Sequence, residues 1–116
     1  MKRLVYLISP NRIYKSFYKD LKKVLEYNNV KFFQLRIKKT SNDNLIRIAK
    51  KIAKITKKYN VKLIINDNAK VAKKIKADGC HLGQSDESII EVNKYFKNKI
   101  IGVTCHNSKK LAQIAI

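Results

Sequence analysis

Lys62-Leu63-Ile64-Ile65 and Gly79-Cys80-His81-Leu82 are two short apolar runs, and the amphipathic stretch Asn68–Lys76 lies between them. Such an arrangement reads as strand, helix, strand, because parallel neighbours need a crossover and the crossover is usually a helix. The same unit recurs in both directions along the chain. Upstream lie the apolar runs Leu4–Ile8 and Lys31–Leu35, and downstream lies Ile100–Thr104. Each run is continuous more than alternating, as expected where both faces of a parallel sheet are covered.

The segments between the runs carry helical spacing. Ile13, Phe17, Leu21 and Val24 form one stripe. Leu45, Ile48, Ala49, Ile52, Ile55, Thr56 and Tyr59 form a second, with Lys50, Lys51, Lys54, Lys57 and Lys58 largely on the opposite side. Ser88–Phe96 and Ser108–Ile116 complete the set. Ser41 or Asn42 is placed to cap the second helix, and Ser88 with Glu91 fits a capping box on the fourth. Alternating strands and helices predict an α/β fold with parallel pairing and right-handed crossovers. The 116 residues suit one domain, residues 1–116. Two architectures fit the pattern. One is an open five-stranded doubly wound sheet. The other is an incomplete (β/α)8 TIM barrel of about five βα units, since a full barrel takes about 250 residues. Periodicity does not choose between them. Both place ligands beyond the C-terminal ends of the strands.

Charge adds a second constraint. The chain carries 27 Lys and Arg against 8 Asp and Glu, a net charge of +19. That balance raises the question of a nucleic-acid or anionic-surface partner. Only Arg3, Arg12, Arg36 and Arg47 are arginines, whereas bidentate readers of bases and phosphates favour Arg. The lysines are also spread along helix faces, so a solvated surface is the better reading and specific nucleic-acid binding is not expected. Two cysteines, Cys80 and Cys105, do not make a disulfide framework. Leu4–Ile8 is too short for a signal peptide and is followed by Ser9-Pro10-Asn11. No apolar run is long enough to span a membrane. A cytoplasmic location with reduced thiols is the expectation.

The strand ends hold the residues with chemistry. Gln34, Arg36 and Lys38 alternate at the end of the second strand, so period two puts them on one side as an anion clamp. The third strand ends Asn66-Asp67-Asn68. There Asp67 is either a magnesium ligand or, like Asn68, a helix cap. The fourth ends in Gly83-Gln84-Ser85-Asp86, where Asp86 presents the same choice. His81 reads as well as a satisfied core histidine as a site residue. On the fifth strand Thr104 and His106 share a side. Neighbouring Cys and His on a strand point apart, so Cys80–His81 and Cys105–His106 make no local nucleophile–base pair. No CxxC or HxxxH spacing supports zinc. A phosphoacceptor receiver shares this length but needs an acidic pair where Ser9-Pro10-Asn11 stands.

Five pieces, in order, resemble the thiamine phosphate synthase and thiazole tautomerase barrel family. They are Tyr6-Leu7-Ile8-Ser9-Pro10, Gln34-Leu35-Arg36-Ile37-Lys38, Leu63-Ile64-Ile65-Asn66-Asp67, Ala77-Asp78-Gly79-Cys80-His81-Leu82-Gly83-Gln84-Ser85-Asp86 and Ile100-Ile101-Gly102-Val103-Thr104-Cys105-His106. The resemblance implies a (β/α)8 barrel that joins an aminopyrimidine methyl diphosphate to a thiazole phosphate and releases diphosphate. It implies that Gln34 contacts the pyrimidine, that Arg36, Lys38, Asn66 and Thr104 hold the diphosphate, and that Asp67 and Asp86 ligate Mg²⁺. His81 and His106 join the substrate-binding set, and His106 matches the proton-transfer histidine of the tautomerase. Both acids and the cationic clamp favour the synthase. Thr104 stands where the synthase commonly has Ser, and Asn68 where many members have Arg. By the same resemblance strands six to eight are absent, with a later diphosphate lysine and the glycine-rich thiazole phosphate loops. Activity of the chain alone is therefore not expected. An unclosed barrel is expected to self-associate, to pair with a complementing C-terminal fragment, or to be marginally stable. A non-enzymatic basic anion-binding module is the alternative.

Overall fold

A computed structural model describes residues 3–83, 87–106 and 108–115. Five strands alternate with five helices: β1 Val5–Ile8, α1 Phe17–Leu25, β2 Val30–Leu35, α2 Asn42–Lys58, β3 Lys62–Asn66, α3 Ala69–Lys74, β4 Gly79–Leu82, α4 Ile89–Asn93, β5 Ile100–Val103 and α5 Lys109–Ala115. The strands form one sheet in the order β1-β2-β3-β4-β5, and every pairing is parallel.

That order decides between the two expected architectures. A doubly wound sheet reverses its strand order at a switch point. Here the order never reverses, so crossovers of one hand put the helices on one face. The buried cluster agrees: Phe33, Leu35, Leu63, Ile65, Cys80 and Leu82 from the strands pack with Leu21, Ile48, Ile52, Val71 and Val92 from the helices. The result is a slab of 40 × 40 × 24 Å, with helices outside and a concave wall of strands inside. The doubly wound alternative is excluded. The expectation of two covered sheet faces also needs correction. On β1, Tyr6 and Ile8 are 46% and 56% exposed on the inner wall, and Ile100 of β5 is 41% exposed. Among the described residues, β1 and β5 are the sheet's edges.

Local chemistry sets the element ends. Ser41 Oγ accepts from Asn44 N at 3.1 Å and caps α2; Asn68 Oδ1 accepts from Val71 N at 3.0 Å and caps α3. Only half of the expected capping box on α4 forms among the described hydrogen bonds. Ser88 Oγ accepts from Glu91 N at 3.2 Å, while the Glu91 carboxylate pairs with Lys94 at 3.2 Å. Helices α2 and α3 end alike. Asn60 N donates to Lys57 O and Val61 N to Thr56 O; Lys76 N donates to Lys73 O and Ala77 N to Ala72 O. These are Schellman ends, with Asn60 (φ 58°) and Lys76 (φ 57°) in the left-handed position that glycine normally fills. Among the described residues no helix is long and apolar enough to cross a membrane.

Two residues of the Ala77-Asp78-Gly79 piece are structural. Asp78 Oδ2 accepts from Leu63 N at 2.8 Å and extends the β3–β4 pairing at the N-terminal rim. A Cβ on Gly79 would collide with the Ile100 carbonyl and stand 2.8 Å from Ile100 Cβ, so β5 can approach only a glycine. We predict that Gly79→Ala lowers the unfolding free energy by about 2 kcal/mol, whereas Lys76→Gly raises it by about 0.5–1 kcal/mol through relief of the left-handed conformation. Urea unfolding midpoints check both signs.

Candidate functional site

Strand register carries the site. Ile8 pairs with Gln34, Gln34 with Ile64, Asn66 with His81, and His81 with Gly102. Period two then sends Tyr6, Phe32, Gln34, Ile64, Asn66, His81, Gly102 and Thr104 to the inner wall. They line a single concavity of about 870 Å³, together with Arg36, Lys38, Asp67 and His106 at the C-terminal rim. Eight of the nine residues singled out from the sequence, namely Gln34, Arg36, Lys38, Asn66, Asp67, His81, Thr104 and His106, therefore share one wall. The ninth, Asp86, lies outside the described residues.

The cations are fixed at the backbone and open at the side chain. β2 ends at Leu35, yet the chain past it stays in line because the β1–α1 loop holds it. Ser9 N donates to Gln34 O at 2.9 Å, Ser9 Oγ accepts from Arg36 N at 2.9 Å, and Asn11 Oδ1 accepts from Lys38 N at 2.7 Å. Arg36 and Lys38 are exposed and make no ion pair with a described residue. Their charge is available to a ligand.

Beside the clamp lies an aromatic platform. Tyr6 and Phe32 stack with centroids 5.5 Å apart at 21°. Gln34 is 4% exposed, and its Nε2 donates to Tyr6 Oη at 3.0 Å. Reading the sequence missed Tyr6, Phe32, Ser9 and Asn11 as site residues. A signal for Phe32 was available, since period two back from Gln34 reaches it.

Asn68 takes the α3 cap, so the alternative of Asp67 or Asn68 resolves in favour of Asn68. Asp67 is exposed on the rim and sits at φ 62°. Lys39 (φ 55°) and His106 (φ 51°) adopt the same left-handed backbone just beyond β2 and β5. Non-glycine residues held this way carry about 1–2 kcal/mol of strain each, and such strain gathers where a side chain must be aimed. His81 is half-buried and is held by the site itself: its Nε2 lies 2.8 Å from Thr104 Oγ1.

The cysteines stand apart from this wall. Cys80 is fully buried on the helix side, and burial, with Glu87 adding to it, pushes its thiol up to about 11. It is an inert core thiol, and the expected absence of a Cys80–His81 pair follows from their opposite directions. Burial also raises the Tyr95 phenol, as does its 2.6 Å hydrogen bond to Glu87.

Consecutive parallel strands, helices outside and a polar rim at the strand C-termini define a TIM-barrel-like domain. The chain belongs to the thiamine monophosphate synthase family, whose pattern matches residues 5–115. It is 57% identical to the thiamine-phosphate synthase of Pelagibacter ubique over 116 residues, which cover 99% of this chain and 56% of that protein. With the thiamine-phosphate synthase of Erythrobacter litoralis it is 38% identical over 114 residues, 96% of this chain and 54% of that one. The solved thiamine phosphate pyrophosphorylase from Pyrococcus furiosus superposes with a TM-score of 0.76 at 28% identity, over 88% of this chain and 49% of the other. The chain thus spans about half the length of the relatives it matches.

Removing the Ser9 hydroxyl strands the Arg36 amide beneath the rim. Ser9→Ala is expected to cost about 1–2 kcal/mol and to speed amide exchange at Arg36 and its neighbours. Unchanged exchange there would refute the loop's part in holding the clamp.

Proposed function

We propose that this chain provides the pyrimidine diphosphate part of a thiamine phosphate synthase site. The observation that carries the reading is the convergence of Gln34, Arg36, Lys38, Asn66, Asp67 and Thr104 on one wall, in a chain 57% identical to a thiamine-phosphate synthase. In the proposed reaction the methylene C–O bond of an aminopyrimidine methyl diphosphate breaks, and the electron pair leaves with the diphosphate. The ring stabilises the resulting cation, and the nitrogen of a thiazole phosphate captures it. No protein nucleophile takes part.

Each residue has a physical task in this reading. The Tyr6–Phe32 platform and Gln34 orient the ring. Arg36 offers two parallel donors and Lys38 a point charge to the diphosphate. Asn66 and Thr104 add neutral donors. Negative charge grows on the leaving group as the bond breaks, so fixed cations lower that barrier more than they strengthen ground-state binding.

Magnesium suits the donor set. Mg²⁺ takes hard oxygen ligands from one or two carboxylates and fills the rest with phosphate and water. The exposed Asp67 carboxylate on the same rim as the clamp meets that requirement, and Asp86, outside the described residues, is proposed from the sequence as the second. An ion held there would supply positive charge to the part of the diphosphate that Arg36 and Lys38 leave uncovered. His106, also on the wall, is the residue a tautomerase-like reaction would use. The cationic clamp favours the synthase.

Calorimetric titration with the aminopyrimidine methyl diphosphate tests the proposal. Binding is expected to require Mg²⁺. Arg36→Ala should weaken it by about 10- to 100-fold, and Asp67→Asn should abolish the Mg²⁺ dependence. Equal binding by Asp67→Asn with Mg²⁺ present would remove Asp67 from the metal site.

A further inference from the structure

His81 and Thr104 come from different strands, and their contact needs a third residue. β4 and β5 pair His81 with Gly102, two residues before Thr104. A Cβ on Gly102 would stand 2.5 Å from His81 Nδ1. The missing side chain is the slot in which the imidazole lies across β5, and from that slot Nε2 reaches Thr104 Oγ1 at 2.8 Å. Both side chains line the concavity.

The chemistry of the pair gives it a direction. A hydroxyl has one proton to donate and two lone pairs to accept with, while a phosphate oxygen bears no proton and only accepts. When Thr104 donates to a phosphate oxygen, its single proton is used. The 2.8 Å contact is then a hydrogen bond only if His81 Nε2 carries the proton and donates to Thr104 Oγ1. A hydroxyl that accepts from an N–H becomes a stronger donor in turn, because chained hydrogen bonds polarise one another.

We infer that His81 is a positioning residue that acts through Thr104: seated in the Gly102 slot, its Nε2–H holds and polarises the Thr104 hydroxyl toward the diphosphate. This rests on the diphosphate reading above and narrows it. His81 itself need not touch the ligand.

Inorganic pyrophosphate with Mg²⁺, titrated into the 116-residue chain, serves as the probe. His81→Ala and Thr104→Val should each weaken binding by about tenfold, and the double variant by no more than either alone. Thr104→Ser keeps the hydroxyl and should keep both the affinity and the sensitivity to His81→Ala. The imidazole ¹⁵N spectrum of the unsubstituted chain should show a protonated Nε2 in the pyrophosphate complex, which decides the matter even if a variant fails to fold. Unchanged affinity in His81→Ala, losses that multiply in the double variant, or an unprotonated Nε2 would each overturn the inference while the diphosphate reading stands. An unsubstituted chain that binds no pyrophosphate would overturn both.

Discussion

Everything in this molecule leans on one constraint: each strand pairs in parallel with the strand that follows it. Because the order runs β1 to β5 without reversal, the helices fall on one face and the strand C-termini on one rim. Period two then sorts each strand into a helix-facing half and an inward half. Leu35, Ile65, Cys80 and Leu82 go to the core, and Gln34, Asn66 and His81 go to the wall. Residues as far apart as Tyr6 and His106 thereby share one surface. The pairing has local conditions of its own. Gly79 lets β5 approach, Gly102 leaves room for an imidazole, and Asp78 extends the β3–β4 pairing.

The two rims use the same unusual backbone for different ends. At the N-terminal rim Asn60 and Lys76 turn left-handed to close α2 and α3, and their effect is stability. At the C-terminal rim Lys39, Asp67 and His106 turn left-handed beyond strand ends, and Asp67 and His106 line the concavity. The clamp shows the same division of labour within one segment. Ser9 and Asn11 satisfy the Arg36 and Lys38 amides, which leaves guanidinium and ammonium for a ligand.

Element existence, parallel pairing and the side to which Gln34, Arg36 and Lys38 point were legible, because each follows from apolar spacing and period two. The choice between doubly wound sheet and barrel-type winding was not. Strand order depends on contacts among elements, and the apolar run of β2 reads the same in either. The resemblance to a family, not periodicity, pointed to the barrel. Asp67 and Asn68 were indistinguishable as caps, since both side chains can accept from a helix N-terminus; Asn68 takes the cap, and Asp67, at φ 62°, lines the wall. Tyr6 and Phe32 looked like strand filler, because an aromatic residue in an apolar run usually packs in a core. Helix α4 proved shorter than its apolar spacing suggested, at Ile89–Asn93.

The net charge of +19 offers a rival account of any anion binding, since diffuse cationic surface attracts polyphosphate without a site. Lysines on α1, α2 and α3 face away from the concavity, so the two accounts place the ligand on opposite sides of the sheet. Backbone amide shift perturbation separates them. With Mg²⁺ and inorganic pyrophosphate added to ¹⁵N-labelled chain, a strand-end site predicts saturable shifts at Gln34, Arg36, Lys38, Asn66, Asp67, His81 and Thr104. Shifts spread over the lysines of α1, α2 and α3, growing without saturation and vanishing at modest salt, would contradict it.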